Sequence, residues 1–300
     1  MTAYCNEFDP FAAQWLRNLI DAGLIAPGVV DERSITDVTP GDLKGFTQCH
    51  FFAGIGGWSY ALRLAGVPDT AIVWTGSPPC QPFSDAGKKL GKSDERRLAP
   101  TFMRLIAECS PPVLFGEQVA AAIGKHWLDD LFDELEREKY ACGAAVLPAA
   151  SVGAPHERKR LFFGASRCVV HADNKCELSA ANISRDGDSY GASPASYRVA
   201  NSDNSGQPSG KRGGENNWNL KGNHAGRCGS FGNSAGSFWS DAEWISCTDG
   251  KARQIEPGSF PVANGIPARV GRLRGYGNAI VPQVAAEFIG AFLDSCGKSS

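Results

Sequence analysis

The chain has 300 residues, 42% of them hydrophobic and 21% charged, enough for one large globular domain with or without an insertion, and this excludes a peptide module or a wholly disordered chain. Thirty Lys and Arg against 32 Asp and Glu leave a formal net charge of −2, so any nucleic-acid contact must rest on local charge. No run approaches the roughly 18 apolar residues of a membrane span and the N-terminus lacks the regions of a signal peptide, so a soluble, cytoplasmic protein is expected, and its ten cysteines, spread from Cys5 to Cys296, are expected to be reduced thiols rather than a disulfide scaffold.

From residue 1 to about 165 the signals alternate between strand and helix, which predicts an α/β domain with a doubly wound, Rossmann-like sheet. A short strand, Thr2 to Cys5, precedes a helix in which Phe11, Ala12, Trp15, Leu16, Leu19 and Ile20 recur at helical spacing after Asp9-Pro10. Gln48 to Phe52 reads as a buried strand running into a glycine-rich turn, and Trp58 to Ala65 as the helix after it. Ala71 to Trp74 is a strand, Thr101 to Glu108 a helix, Val113 to Phe115 a strand, His126 to Lys139 an amphipathic helix and Leu161 to Gly164 a further strand. Between 166 and 265 the texture shifts to Gly, Ser and Asn with scattered aromatics, an irregular insertion with equal numbers of basic and acidic residues. A last amphipathic helix, carrying Val284, Ala285, Phe288, Ile289 and Phe292, follows Pro282. The expected domains are therefore 1–165 plus 266–300, with 166–265 inserted.

Chemistry enters at the loops. Phe52-Ala53-Gly54-Ile55-Gly56-Gly57 ends a strand and opens a helix, a place where backbone N–H groups can face a ligand, although alone it is equally an ordinary tight turn. Gly76-Ser77-Pro78-Pro79-Cys80-Gln81-Pro82-Phe83-Ser84 sets a cysteine at a strand end in a proline-bounded loop, where a thiolate can be held toward a substrate.

This second loop resembles the catalytic motif of the DNA (cytosine-5)-methyltransferases. Gly116-Glu117-Gln118-Val119 resembles the family's Glu-Asn-Val motif with Gln118 in place of Asn, and His156-Glu157-Arg158-Lys159-Arg160 resembles Gln-x-Arg-x-Arg with His156 in place of Gln. Gly277-Asn278-Ala279-Ile280-Val281-Pro282 is similar to the family's last motif, which leads into a helix beside the cofactor.

The family usually has two more strands, each with an acidic residue, between the glycine turn and the cysteine, yet only 22 residues separate Gly57 from Cys80. The resemblance places the missing block at the N-terminus: Asn6-Glu7-Phe8-Asp9 is similar to the second motif and Arg33-Ser34-Ile35-Thr36-Asp37 to the third. The order is then a segment transposition that leaves the sheet itself unchanged, a compact arrangement resembling phage or prophage enzymes.

The resemblance implies an S-adenosyl-L-methionine site formed by Glu7 on the ribose hydroxyls, Phe8 on the adenine, Phe52 on the methionine side, and Gly54, Gly56, Gly57, Ser34, Ile35, Pro78, Leu98 and Asn278 around them. Ser34 stands where the family has an Asp for the adenine amino group, leaving Asp31 and Asp37 as substitutes. It implies that Cys80 attacks cytosine C6, that Glu117 shares a proton with ring N3, that Arg158 contacts the base carbonyl with Arg160 nearby, and that the base is flipped from double-stranded DNA. Gln81, Ser84, Lys251, Arg253, Arg269, Arg272 and Arg274 are the candidate DNA contacts. No metal is expected, since the cysteines show no C-x-x-C spacing, and a monomer is expected. An RNA cytosine methyltransferase and a DNA-binding relative without catalysis are the alternative readings.

Overall fold

Ala3–Asn6 (β1) is buried at every position, as a parallel strand with neighbours on both sides must be. It pairs in parallel with Gly28–Asp31 (β2) on one side and with Gln48–Phe51 (β3) on the other. The computed structural model describes residues 3–78, 98–120, 127–154, 156–170, 176–185, 243–246, 252–255 and 275–297.

The sheet continues through Val73–Gly76 (β4), Val113–Val119 (β5), Tyr140–Leu147 (β6) and Arg160–Val170 (β7), in the spatial order β2-β1-β3-β4-β5-β7-β6. The first five in that order are mutually parallel, whereas β7 runs antiparallel to both β5 and β6. The sheet is therefore mixed, with helices on both faces, and the doubly wound reading holds.

Side chains alternate across the sheet and divide the core in two. Val113, Phe115 and Phe162 face Trp58 and Leu62 of Gly57–Leu64 (α2) and Phe288, Ile289 and Leu293 of Pro282–Gly297 (α5). Leu114 and Phe163 face Phe102, Leu105 and Ile106 of Leu98–Cys109 (α3) and Leu135 of Trp127–Arg137 (α4). Each such Phe or Leu contributes about 1.5–3 kcal/mol by leaving water. Pro10–Asp21 (α1) starts where expected, because the Asp9 carboxylate accepts hydrogen bonds from the Phe11 and Ala12 N–H groups.

Two strands of this sheet, β2 and β6, were not legible in the sequence: β2 is only four residues long, and β6 is a run of mostly small residues, Tyr-Ala-Cys-Gly-Ala-Ala-Val-Leu, that carries no period-2 alternation of apolar and polar side chains. The strand expected at Leu161 to Gly164 is the middle of the 11-residue β7. The boundary expected at 165 consequently falls inside a strand. Beyond it, Cys176–Leu178 (β8) pairs with β7, Ala180 is buried against α5, the Ser166 hydroxyl accepts from Ala180 N–H at 2.8 Å, and Arg185 is ion-paired with Asp294. Among the described residues, the body packed around the sheet thus extends to Arg185.

Gly275–Gly297 is long and apolar enough to cross a membrane by length and composition. Val284, Ala285, Phe288, Ile289, Leu293 and Cys296 are nevertheless buried against the sheet, which makes α5 a core helix. The cysteine expectation also needs one correction. Cys168 is disulfide-bonded. Cys5, Cys49, Cys109, Cys142 and Cys296 are free thiols, all pushed up by burial, Cys5 and Cys142 to about 12.

Candidate active site

The parallel strands β1, β3, β4 and β5 end at one edge of the sheet, and the candidate residues are distributed along it. At the β3 end the chain turns sharply. Phe52 takes a left-handed backbone (φ 54°) rather than continuing the strand, with its ring edge-on to Phe102. Gly56, at φ 84°, caps α2 in a conformation that a side chain would strain, and a Cβ at Gly57 would lie 2.8 Å from Ile280 Cγ1. These two glycines are required by the turn and by the close approach of the C-terminal segment.

Glu7, just beyond β1, reaches this turn. Its Oε2 accepts from Gly54 N–H at 2.7 Å and its Oε1 from Asp9 N–H at 2.9 Å. A Cβ on Gly54 would meet nothing within 4 Å, so the turn opens onto free space bordered by the Glu7 carboxylate, an acceptor group of the kind that suits a vicinal diol. Phe8 is 69% exposed beside it, available for stacking. This combination fits an adenosine-type cofactor.

The third-motif residues sit across β2. Ser34 Oγ accepts from Thr36 N–H and caps a short 3-10 turn, Ile35–Asp37. Ile35 is 2% exposed, its side chain packed in the core with Tyr4 and Val38; its side chain therefore does not line an open site, contrary to expectation. Asp31 is committed elsewhere. Burial disfavours its charge, yet hydrogen bonds from Arg33 and Tyr4 hold its carboxyl below the usual carboxylate range. Asp37 is exposed and remains the available acid. Asn6, which sequence reasoning left without a role, is 3% exposed and donates to the Asp31 and Arg33 carbonyls, fixing this loop to β1. A buried Asn at a strand end was the signal for it.

Leu98 opens α3 and is partly buried against the same core. Pro78 ends the described part of the cysteine loop. Its carbonyl accepts from Gln118 Nε2 at 3.0 Å, and Ser77 Oγ accepts from Trp58 Nε1 at 3.0 Å. Trp58 read only as an apolar helix position, so its indole donor was not anticipated. Cys80, Gln81 and Ser84 lie outside the described residues, as do Lys251, Arg269, Arg272 and Arg274. Arg253 falls in the strand Ala252–Ile255 (β10), opposite Ile245 of Glu243–Ser246 (β9).

At the β5 end, Glu117 is paired with Arg160, Nε to Oε1 2.9 Å. Burial raises the Glu117 pKa, and the nearby Arg160 and Arg158 only partly offset this. Arg158 does not occupy the position expected of it. Its Nη2 donates to the carbonyls of Gly277, at 2.8 Å, and Ala279, at 2.5 Å. Arg160, not Arg158, is the arginine on the carboxylate. Asn278, between those two carbonyls, is exposed.

Such an edge can hold a nucleoside at one end and a proton-sharing carboxyl at the other. Residues 68–186 match the family model described as C-5 cytosine-specific DNA methylase. The Type II methyltransferase M.AplI of Arthrospira platensis is 37% identical over 101 residues, covering 33% of this chain and 28% of the relative. M.NgoMIV of Neisseria gonorrhoeae is 34% identical over 91 residues, covering 29% of each. The chain thus matches under a third of the length of these two curated relatives. Among solved structures, a Spodoptera frugiperda DNMT2 mutant superposes with a TM-score of 0.38 at 16% identity, covering 56% of this chain and 50% of that one. Members of the matched family use S-adenosyl-L-methionine as methyl donor. The resemblance to the C-5 cytosine-specific DNA methylases thus spans residues 68–186, within which Pro78, Gln118 and the Glu117–Arg160 pair lie together at the sheet edge.

Proposed function

We propose that this chain methylates C5 of cytosine in double-stranded DNA, with Cys80 as nucleophile, acting in the cytoplasm on a base flipped out of the duplex. The observation that carries the reading is the half-buried Glu117–Arg160 pair at the end of β5, bound through Gln118 to the start of the cysteine loop.

Cytosine C5 is too weak a nucleophile to take a methyl group unaided. Addition of the Cys80 thiolate at C6 makes a Cys80 Sγ–C6 bond and leaves an enamine with electron density at C5. Glu117, its pKa raised by burial, shares its proton with N3 and so neutralises charge that would otherwise build up on the ring. Arg160 holds Glu117 in place and is the donor for the base carbonyl, the role first assigned to Arg158. S-adenosyl-L-methionine, when bound, supplies an electrophilic methyl group. Loss of the C5 proton to a base and cleavage of the Sγ–C6 bond then regenerate Cys80.

Glu7 binds the ribose hydroxyls and Phe8 the adenine. The strand order β2-β1-β3 supports the reading that the second and third motifs precede the glycine turn in sequence, because it sets Glu7 directly on Gly54. Residues 186–265 read the target sequence, with Gln81, Ser84, Lys251, Arg253, Arg269, Arg272 and Arg274 on phosphates or bases.

The test is incubation with labelled S-adenosyl-L-methionine and either duplex DNA or RNA, followed by mapping of 5-methylcytosine. Label in DNA that disappears in Cys80→Ser supports the proposal. Label in RNA alone replaces the substrate, and cofactor binding without transfer to either polymer leaves a DNA-binding relative.

A further inference from the structure

The segment Gly275–Val281 touches parts of the molecule far apart in sequence. Tyr276 meets Trp15 of α1 edge-to-face at 5.5 Å between ring centroids. A Cβ on Gly275 would lie 3.2 Å from Ile55, and Ile280 lies so close to Gly57 that no side chain fits between them. Both contacts are with the glycine turn on which Glu7 also rests. From the other side, the two carbonyls flanking Asn278 are taken by a single nitrogen of Arg158. Arg158 itself has a left-handed backbone, φ 31°, and stands two residues before Arg160, which is on Glu117.

We infer that Arg158 is a positioning residue for the cofactor: it clasps Gly277 and Ala279, keeps this segment seated on the glycine turn, and so sets cofactor affinity while Arg160 serves the base. The inference rests on the proposed function and deepens it. Two arginines of one motif then divide the work, and because they share one short stretch of backbone, occupancy of the base pocket and of the cofactor pocket are energetically coupled. Removing the donor takes away these two hydrogen bonds and leaves the apolar contacts at Trp15, Ile55 and Gly57, and the segment loosens where it borders the cofactor.

The experiment titrates S-adenosyl-L-homocysteine by calorimetry into the full chain and into Arg158→Met, Arg158→Gln, Arg158→Lys and Arg160→Met, each checked by circular dichroism. The expected result is about a tenfold weaker Kd for Arg158→Met and Arg158→Gln, since neither side chain supplies the two hydrogen bonds, with partial recovery in Arg158→Lys. Arg160→Met keeps the Kd of the unsubstituted chain and loses methyl transfer. Unchanged affinity in either folded Arg158→Met or folded Arg158→Gln overturns the inference. Failure of the unsubstituted chain to bind S-adenosyl-L-homocysteine overturns the cofactor reading instead, so the two failures are distinguishable.

Discussion

The side-chain amide of Gln118 donates to the carbonyl of Pro78 at 3.0 Å, tying β5 to the entrance of the cysteine loop across 40 residues of sequence. Its Oε1 accepts from Val119 N–H at 2.9 Å, and the side chain is 4% exposed. An Asn, one methylene shorter, does not span this gap without movement of a strand. Gln118→Asn is therefore expected to slow methyl transfer by about tenfold and to leave S-adenosyl-L-homocysteine affinity unchanged, and Gln118→Met to cost about 1–3 kcal/mol as well by stranding a buried carbonyl. Steady-state kinetics and urea melts check both.

Glu117 offers a test in which function and stability move oppositely. Its raised pKa means that burial outweighs the help of Arg160 and Arg158, so the ionised form weakens the fold above the unfolded carboxyl's pKa and ceases to do so once Glu117 is protonated. Glu117→Gln should abolish most methyl transfer, roughly a 100-fold loss or more, yet melt a few degrees higher at pH 7. The stabilisation should vanish as the pH falls through the carboxyl range, which thermal melts at pH 7 and pH 4 will show.

His50 is buried and hydrogen-bonded on both ring nitrogens, to Thr75 Oγ1 at 2.8 Å and to Gln48 Oε1 at 3.2 Å. Burial lowers its pKa to about 4. The unfolded chain takes up a proton near pH 6.5 that the folded chain refuses, so stability is intact above that pH and declines as pH falls toward 4, by about 3 kcal/mol in total. Urea midpoints between pH 7 and pH 4 measure this decline, and His50→Gln should remove its share.

Glu7→Gln should weaken S-adenosyl-L-homocysteine binding by roughly 10- to 100-fold, the value of one or two charge-assisted hydrogen bonds. Phe8→Ala, removing an exposed ring, should weaken it only a few-fold. Equilibrium dialysis separates the two effects, and equal losses would deny Glu7 its place on the ribose.

If, as proposed, Arg269, Arg272 and Arg274 contact phosphates, reversing their charges lowers DNA affinity and flattens its dependence on salt by about one slope unit per contact. Filter binding at several salt concentrations measures both quantities.

The motifs were legible because each is a short contiguous run whose chemistry belongs to its own residues: Glu7, the glycine turn, Glu117 and the two arginines all stand at the sheet edge the sequence implied. Their division of labour was not legible. Which guanidinium reaches Glu117 depends on Arg158 turning to carbonyls more than 100 residues away, and spacing carries no record of that. Strand β6 escaped for a different reason, since its run of small apolar residues has no polar alternation to mark a strand and its place is set by pairing with β7 along eight residues. Asp31 illustrates a third: it qualified as an adenine contact until Tyr4 and Arg33 were seen to occupy its carboxylate.

The four strands β2, β1, β3 and β4 are neighbours in the sheet and also come from one uninterrupted stretch, residues 3–76. During synthesis this half can pair with itself before Val113 leaves the ribosome, closing only short loops. Its open side is then β4, Val73-Trp74-Thr75-Gly76, every residue of which is buried in the finished molecule. Until β5 arrives, the nascent chain presents an apolar, unpaired strand edge, the kind of surface on which aggregation begins and chaperones act.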